Sequence, residues 1–159
     1  MKNKIPVIIL LIIIDQIIKL LIVGTIGVSG ESITIIPNFI ALTFVQNLGA
    51  AFGLFSARLW LICLDLLIIF AILKFIRSEK YEKDELTNWG VSLILAGGIG
   101  NLIDRVFRGS VVDYIDITKL FNWPVFNLAD IYIVIGVILV FVLILVKTIK
   151  DQEKANEGV

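Results

Sequence analysis

Histidine is absent from this chain. That removes Ser-His-Asp and Cys-His nucleophile schemes and every imidazole metal site. There is a single cysteine, Cys63, so no internal disulfide can form. It sits in the apolar run LWLICLDLLIIF, where a buried small hydrophobe is expected. Charge is also scarce. Charged residues make up 18% of the chain, and 14 basic residues balance 14 acidic ones. No bulk electrostatic attraction to nucleic acid follows, and no nucleic-acid partner is expected.

Apolar residues are in excess. They account for 58% of the 159 residues, and the mean hydropathy is +1.00. An ordinary soluble domain is about 45–50% apolar. The length suits one domain, taken as a single unit over residues 1–159. Four apolar runs stand out, near residues 5–24, 59–76, 89–107 and 131–146. Each approaches the roughly 20 residues that cross a bilayer as a helix. The pattern predicts an α-helical membrane protein with four transmembrane helices. The first run resembles a signal peptide, with Lys2 and Lys4 ahead of it. Its length and the charges Asp15 and Lys19 inside it predict a retained helix instead.

Orientation follows the Lys/Arg balance. Lys2, Lys4, Lys74, Arg77, Lys80, Lys83, Lys147, Lys150 and Lys154 fall on one side. Only Arg58, Arg105, Arg108 and Lys119 fall on the other. Both termini are therefore expected in the cytoplasm, with the tail from about residue 147 solvated there. Trp60, Trp89 and Trp123 lie at or just beyond the predicted span ends, as interfacial anchors do. The outer connection over about residues 25–57 is rich in Ile, Thr, Phe and Val, with a turn signal at Pro37-Asn38. Two or three short strands on the outer surface are expected there.

The polar residues near these runs need a reason, because charge close to a membrane is expensive. Asp15 and Lys19 are four apart and share a helix face. They could pair only to hold the bundle together, or serve the site directly. Asn47 and Gly49 belong to NLGAAFG, whose small residues suit either a tight turn or a close approach to a ligand. Asn101 and Asp104 share a face in GNLIDR. Arg105 points elsewhere, toward a lipid phosphate or a distant carboxylate. Arg108 reads as a snorkelling interfacial charge. Asp113 sits in the strand-like SVVDYID, and Asp130 ends FNLAD, where Asn127 could cap the next helix. Alone, Asp113 is a loop charge and Asp130 a helix-end charge. Together they could form a carboxylate pair sharing one proton and activating water. Asp116 could take the place of either.

Taken in order, DQIIK (Asp15, Gln16, Lys19), NLGAAFG (from Asn47), GGIGNLIDR (Gly97 to Arg105), VVDY (Val111 to Tyr114) and FNLAD (Phe126 to Asp130) resemble the lipoprotein signal peptidase family, or signal peptidase II. The resemblance covers nearly all of the chain except its C-terminal tail. It implies a bacterial inner-membrane aspartyl endopeptidase that cuts prolipoproteins just before a diacylglyceryl-modified Cys. It implies that Asp113 and Asp130 are the catalytic dyad. Asp15, Lys19, Asn47, Gly49, Asn101, Asp104, Arg105 and Asn127 would support them or bind substrate. It also implies a small extracytoplasmic β-sheet cradle between the first two spans. The expected partners are a diacylated prolipoprotein and membrane lipids. No cofactor and no metal are expected, and the protein is taken to be a monomer.

Two other readings compete. Asp104, Asp113, Asp116 and Asp130 could ligate magnesium in a lipid-headgroup transferase. Alternatively, Asp15, Lys19 and Asp65 could form the relay of an ion-coupled transporter. The clustering of motifs at one side of the membrane argues against the transporter. For Asp65, a hydrogen bond to a neighbouring span is the preferred explanation.

Overall fold

A computed structural model describes residues 4–49, 57–78, 84–118 and 121–157. Helix α1 spans Ile5–Gly24 and opens with Pro6 in its first turn, where a missing N–H costs nothing. A single turn, α2 (Ile26–Ser29), leads into strands β1 (Ile33–Ile36) and β2 (Ile40–Asn47). Next come α3 (Ala57–Arg77) and α4 (Glu85–Ile103). Asp84 caps α4, its carboxylate accepting from the Thr87 N–H at 2.9 Å. A π-helical turn over Asp104–Arg108 follows, then β3 (Val111–Asp116) and α5 (Leu128–Glu157). Among the described residues, four helices are long and apolar enough to cross a membrane. The chain is thus a four-helix membrane bundle carrying a small sheet.

Helix α4 is the hub, in contact with α1, α3 and α5. It is also the most enclosed of the four. Its glycines set the approach of α5. A Cβ on Gly90 would lie 2.7 Å from Val140, and one on Gly136 would lie 2.5 Å from the Gly90 carbonyl. A Cβ on Gly97 would collide with the carbonyl oxygen of Ala129. Without a hydrophobic drive between helices in lipid, such close backbone contact is what holds them. Ile8, Val91, Leu95 and Ala96 form the core between α1 and α4. A second cluster, Ile22, Ile26, Val112 and Tyr114, clamps the sheet onto the end of α1.

The sheet is antiparallel in the order β1-β2-β3. The β1–β2 hairpin turns at Asn38, whose φ of 58° is a left-handed value that Asn tolerates. The third strand comes from beyond α4, so the sheet is wider than the connection between the first two spans alone. Val45 faces Asp113 and Asn47 faces Val111 across the β2–β3 ladder. Asn47 is therefore the diagonal neighbour of Asp113 on the same face. Phe126 bridges to Ile115 on the far side of β3, which ties the segment before α5 to the sheet edge.

The segment after residue 146, expected as a solvated tail, is helical and continues α5 to Glu157, with Lys147, Lys150 and Lys154 exposed. One expectation about the helices changes. Cys63 is exposed on α3, not buried. Helix α3 is apolar around most of its surface, and Cys63 falls on an exposed side.

Candidate active site

The polar residues singled out in the sequence converge where α1, α4, β2, β3 and α5 meet. Lys19, fully buried, sits at the base. Its ammonium lies 2.9 Å from Asp15 Oδ2, 3.0 Å from Asp104 Oδ2 and 3.0 Å from Asn101 Oδ1. Three donors meet three acceptors, which is full use of a lysine. Asp15 and Lys19 do pair along α1, and the pair is part of a larger network. Gly100 makes room for it, since a Cβ there would lie 2.7 Å from Asp15 Oδ2.

The π-helical turn aims the next residues. The Gly109 N–H reaches back to the Asp104 carbonyl at 3.1 Å, and Gly109 closes the turn at φ 84°. Such turns recur at functional sites because they re-aim side chains. Asp104 points inward, and its Oδ2 also accepts from the Val112 N–H at 3.2 Å. Arg105 points away from the site and pairs with Asp65 of α3 at 2.7 Å. That is the distant carboxylate foreseen for Arg105, and the hydrogen bond to another span foreseen for Asp65. The transporter relay of Asp15, Lys19 and Asp65 is not assembled, because Asp65 faces Arg105.

Arg108 differs from its expected snorkelling role. It pairs with Asp104 and donates to Gln16 Oε1 at 2.7 Å. Gln16 in turn donates to Asp15, Asp104 and the Gly100 carbonyl. Neither Gln16 nor Arg108 stood among the candidate residues. The signal for Arg108 was its spacing, four residues after Asp104 on a helical face. Arg58 was also missed. It donates to the carbonyls of Arg105 and Val106 at 2.8 and 2.9 Å, which satisfies the end of the turn.

Above this base lie the two candidate carboxylates. Asp113, on β3, is 2% exposed. Its Oδ2 accepts from Asn47 Nδ2 at 2.8 Å and its Oδ1 from Asn127 Nδ2 at 2.7 Å. Asp130 lies in the first turn of α5. Its Oδ1 accepts from Asn101 Nδ2 at 2.8 Å and its Oδ2 from the Asn127 N–H at 3.1 Å. Asn127 Oδ1 returns a contact, accepting the Asp130 N–H at 3.0 Å. This reciprocal pair is a capping box, with the N-cap and third helical residues satisfying each other. Asn127 is therefore the helix cap foreseen in the sequence, and it also joins Asp113 to Asp130. Gly49 donates its N–H to Asn47 Oδ1 at 2.9 Å and has a φ of 67°. Its place is to fix the Asn47 amide. Ala50, Ala51, Phe52 and Gly53 of the same motif lie outside the described residues.

Burial pushes the Asp113 carboxyl up from the ordinary carboxylate range. The hydrogen bonds from Asn47 and Asn127 oppose this, and the charge of Asp130 adds to it. Beside it, burial also raises the Tyr114 hydroxyl, which accepts from the Leu128 N–H at 3.2 Å and stays neutral.

Asp113 and Asp130 border one cavity of about 480 Å3. Its other walls are mostly apolar, among them Trp123, Phe126, Ile131 and Val134. Asp116 is elsewhere. Three residues on from Asp113, it faces the other side of the strand, and its carboxylate accepts from Thr118. Asp104 is held by Lys19 and Arg108. The four carboxylates of the magnesium alternative are therefore not gathered. Among the described residues no three acidic or thiol side chains converge as a metal site.

Known proteins share this organisation. A family model described as signal peptidase (SPase) II matches residues 7–146. A lipoprotein signal peptidase of Desulfitobacterium hafniense is 41% identical over 141 residues, covering 88% of this chain and 91% of that protein. One of Staphylococcus carnosus is 37% identical over 143 residues, covering 89% of each. Two solved bacterial membrane enzymes superpose with TM-scores of 0.79 and 0.81, at 32% and 34% identity. They cover 93% and 91% of this chain, and this chain covers 90% and 94% of theirs.

Proposed function

The chain belongs to the signal peptidase II family, multi-pass membrane peptidases that process prolipoproteins, and from that premise we propose that it is an aspartic endopeptidase with Asp113 and Asp130 as its dyad. The substrate is a diacylated prolipoprotein, cut just before the lipidated Cys. The site end of the bundle faces outward from the bacterial cytoplasmic membrane, and both termini lie in the cytoplasm. The observation that carries the proposal is the shared cavity: two carboxylates, linked through Asn127, at the edge of an otherwise apolar space.

Two carboxylates in such a site titrate as a unit, and one keeps a proton. The ionised member takes a proton from water, while the protonated one polarises the scissile carbonyl. Neither step calls for a histidine. The apolar walls limit water to what hydrolysis consumes and strengthen the electrostatics inside. The substrate's acyl chains stay in lipid while its peptide reaches the dyad. Asn101 and Asn127 hold the carboxylates from below, on a base formed by Asp15, Lys19 and Asp104. Asn47, fixed by Gly49, holds Asp113 from the sheet, and Arg105 ties the turn to α3.

The test is cleavage of a diacylated prolipoprotein by the purified full-length protein. Asp113→Asn and Asp130→Asn each lower kcat by about 10²–10⁴-fold, the usual worth of a general acid or base. Circular dichroism of both variants matches the wild type. A chelator leaves the wild-type rate unchanged. Wild-type cleavage by either variant would remove that residue from the dyad, and magnesium-restored activity would favour metal chemistry.

A further inference from the structure

Each of the three asparagine amides around the carboxylates has its orientation set by a neighbour. Asn47 Oδ1 takes the Gly49 N–H, so its NH2 must face Asp113. Asn127 Oδ1 takes the Asp130 N–H, so its NH2 also turns to Asp113. Asn101 Oδ1 faces the Lys19 ammonium, so its NH2 must face Asp130. All four carboxylate oxygens thus accept at least one hydrogen bond. The two sets of donors are nevertheless unequal.

Asp130 accepts a main-chain N–H at the N-terminus of a 30-residue helix, where partial positive charge gathers. Its second donor, the Asn101 amide, is polarised by a buried cation bound to its oxygen, which strengthens the N–H as a donor. Asp113 has two neutral amides, one of them shared with Asn101 at 3.3 Å. It stands on a strand, where backbone dipoles nearly cancel. It is also the drier of the two, 2% exposed against a half-buried Asp130. The other charged and titratable groups facing the pair do not reverse this. On α1, Lys19 favours the ionised form of Asp113, but it acts less on that carboxyl than burial, the two asparagine amides or Asp130 do, and its ammonium is bound to Asp15. On the π-helical turn, Asp104 is held by Lys19 and Arg108. On β3, Tyr114 is neutral.

Resting on the dyad proposed above, we infer that Asp130 is the ionised general base and Asp113 the proton-carrying acid of the free enzyme, with Asn101 and Asn47 as their respective positioning residues. The cycle balances. Water oxygen bonds to the scissile carbonyl carbon and gives a proton to Asp130, while Asp113 protonates the carbonyl oxygen to form a gem-diol. Asp130 then protonates the leaving nitrogen and the C–N bond breaks. A gem-diol hydroxyl returns a proton to Asp113 as the new carboxyl forms. Both residues end as they began.

The pH profile of kcat/KM reports the free enzyme. Its acid limb follows the base and its alkaline limb the acid. The test compares these profiles for wild type, Asn47→Ala and Asn101→Ala, using full-length protein and a diacylated prolipoprotein. Withdrawing a donor from a carboxylate favours its protonated form. Asn101→Ala moves the acid limb up by about one pH unit and leaves the alkaline limb in place. Asn47→Ala moves the alkaline limb up by a similar amount and leaves the acid limb in place. Because the two variants lie on α4 and β2, either is informative if the other fails to fold. Exchanged limbs, or both limbs moving together in one variant, would overturn the assignment while Asp113→Asn and Asp130→Asn remain inactive. Wild-type cleavage by an Asp→Asn variant would instead overturn the dyad itself, and the assignment with it.

Discussion

Lys19 has no solvent and three acceptors, two of them carboxylates on different elements. A buried cation in this setting is not there for net stability, since desolvation consumes most of the Coulomb gain. Its effect is on orientation. It fixes the Asn101 amide, and through it the approach to Asp130. It also offsets the charge of Asp15 and Asp104, which would otherwise share a dry space. Removing it should therefore cost far more than the pair contributes. Lys19→Met keeps the length of the side chain and leaves two buried carboxylates without their cation. Destabilisation of about 3–5 kcal/mol is expected, read as a lowered unfolding midpoint in detergent, with cleavage lost at all pH values. A Lys19→Met protein as stable as wild type would mean that Lys19 does not organise the base of the site.

The helices transmit this order through the α4–α5 contact. Asn101 is on α4, while Asn127 and Asp130 open α5, so the register of the two helices sets the spacing of the site. Gly97 is the tightest point, because a Cβ would meet the main-chain oxygen of Ala129, which cannot swing away. Gly98, its neighbour, would place a Cβ 3.8 Å from the Ile69 side chain, an ordinary contact. Gly97→Ala should therefore cost about 1–3 kcal/mol by overpacking and lower kcat by displacing Asp130. Gly98→Ala should be neutral or slightly stabilising, as helical Gly→Ala usually is. Equal melting curves and rates for the two variants would show that this contact does not set the site. Much at this scale is legible in the sequence, and the exceptions have physical causes. The four helices follow from apolar runs of membrane length, and the Asp15–Lys19 pair from its helical spacing. The third strand of the sheet does not, because β3 pairs with β2 across two intervening spans and leaves no local trace. The π-helical turn hides inside an apparently continuous third run, so Arg108 looks like a snorkelling interfacial charge, whereas the turn brings it back to Asp104 and Gln16. In the candidate site, the motifs locate the polar residues, but the wiring of Asn101 to both Lys19 and Asp130 depends on how α1, α4 and α5 meet.

Basic residues lie at both ends of the molecule, in different settings. At one end Lys4 pairs with Glu85 at 2.5 Å and lies 3.7 Å from the Trp89 ring, and Lys74 and Arg77 end α3. At the other end Arg58, Arg105 and Arg108 gather at the π-helical turn that leads into β3. Helix α5 starts at the site end. With 30 residues it is about 45 Å long, against a hydrocarbon core of about 30 Å. It must therefore project from the opposite end by several turns, and that projection carries Lys147, Lys150 and Lys154. Basic residues retained on the cytoplasmic side would place that projection in the cytoplasm and the sheet outside. Cysteine accessibility tests this directly, because Cys63 is the sole native thiol. In a Cys63→Ala background, Thr34→Cys on β1 and Lys154→Cys on α5 each place a thiol at an exposed position. A membrane-impermeant maleimide added to intact spheroplasts should label Thr34→Cys fully and Lys154→Cys only after lysis. The reverse pattern would put the dyad in the cytoplasm, on the wrong side for a substrate whose mature domain has already been exported.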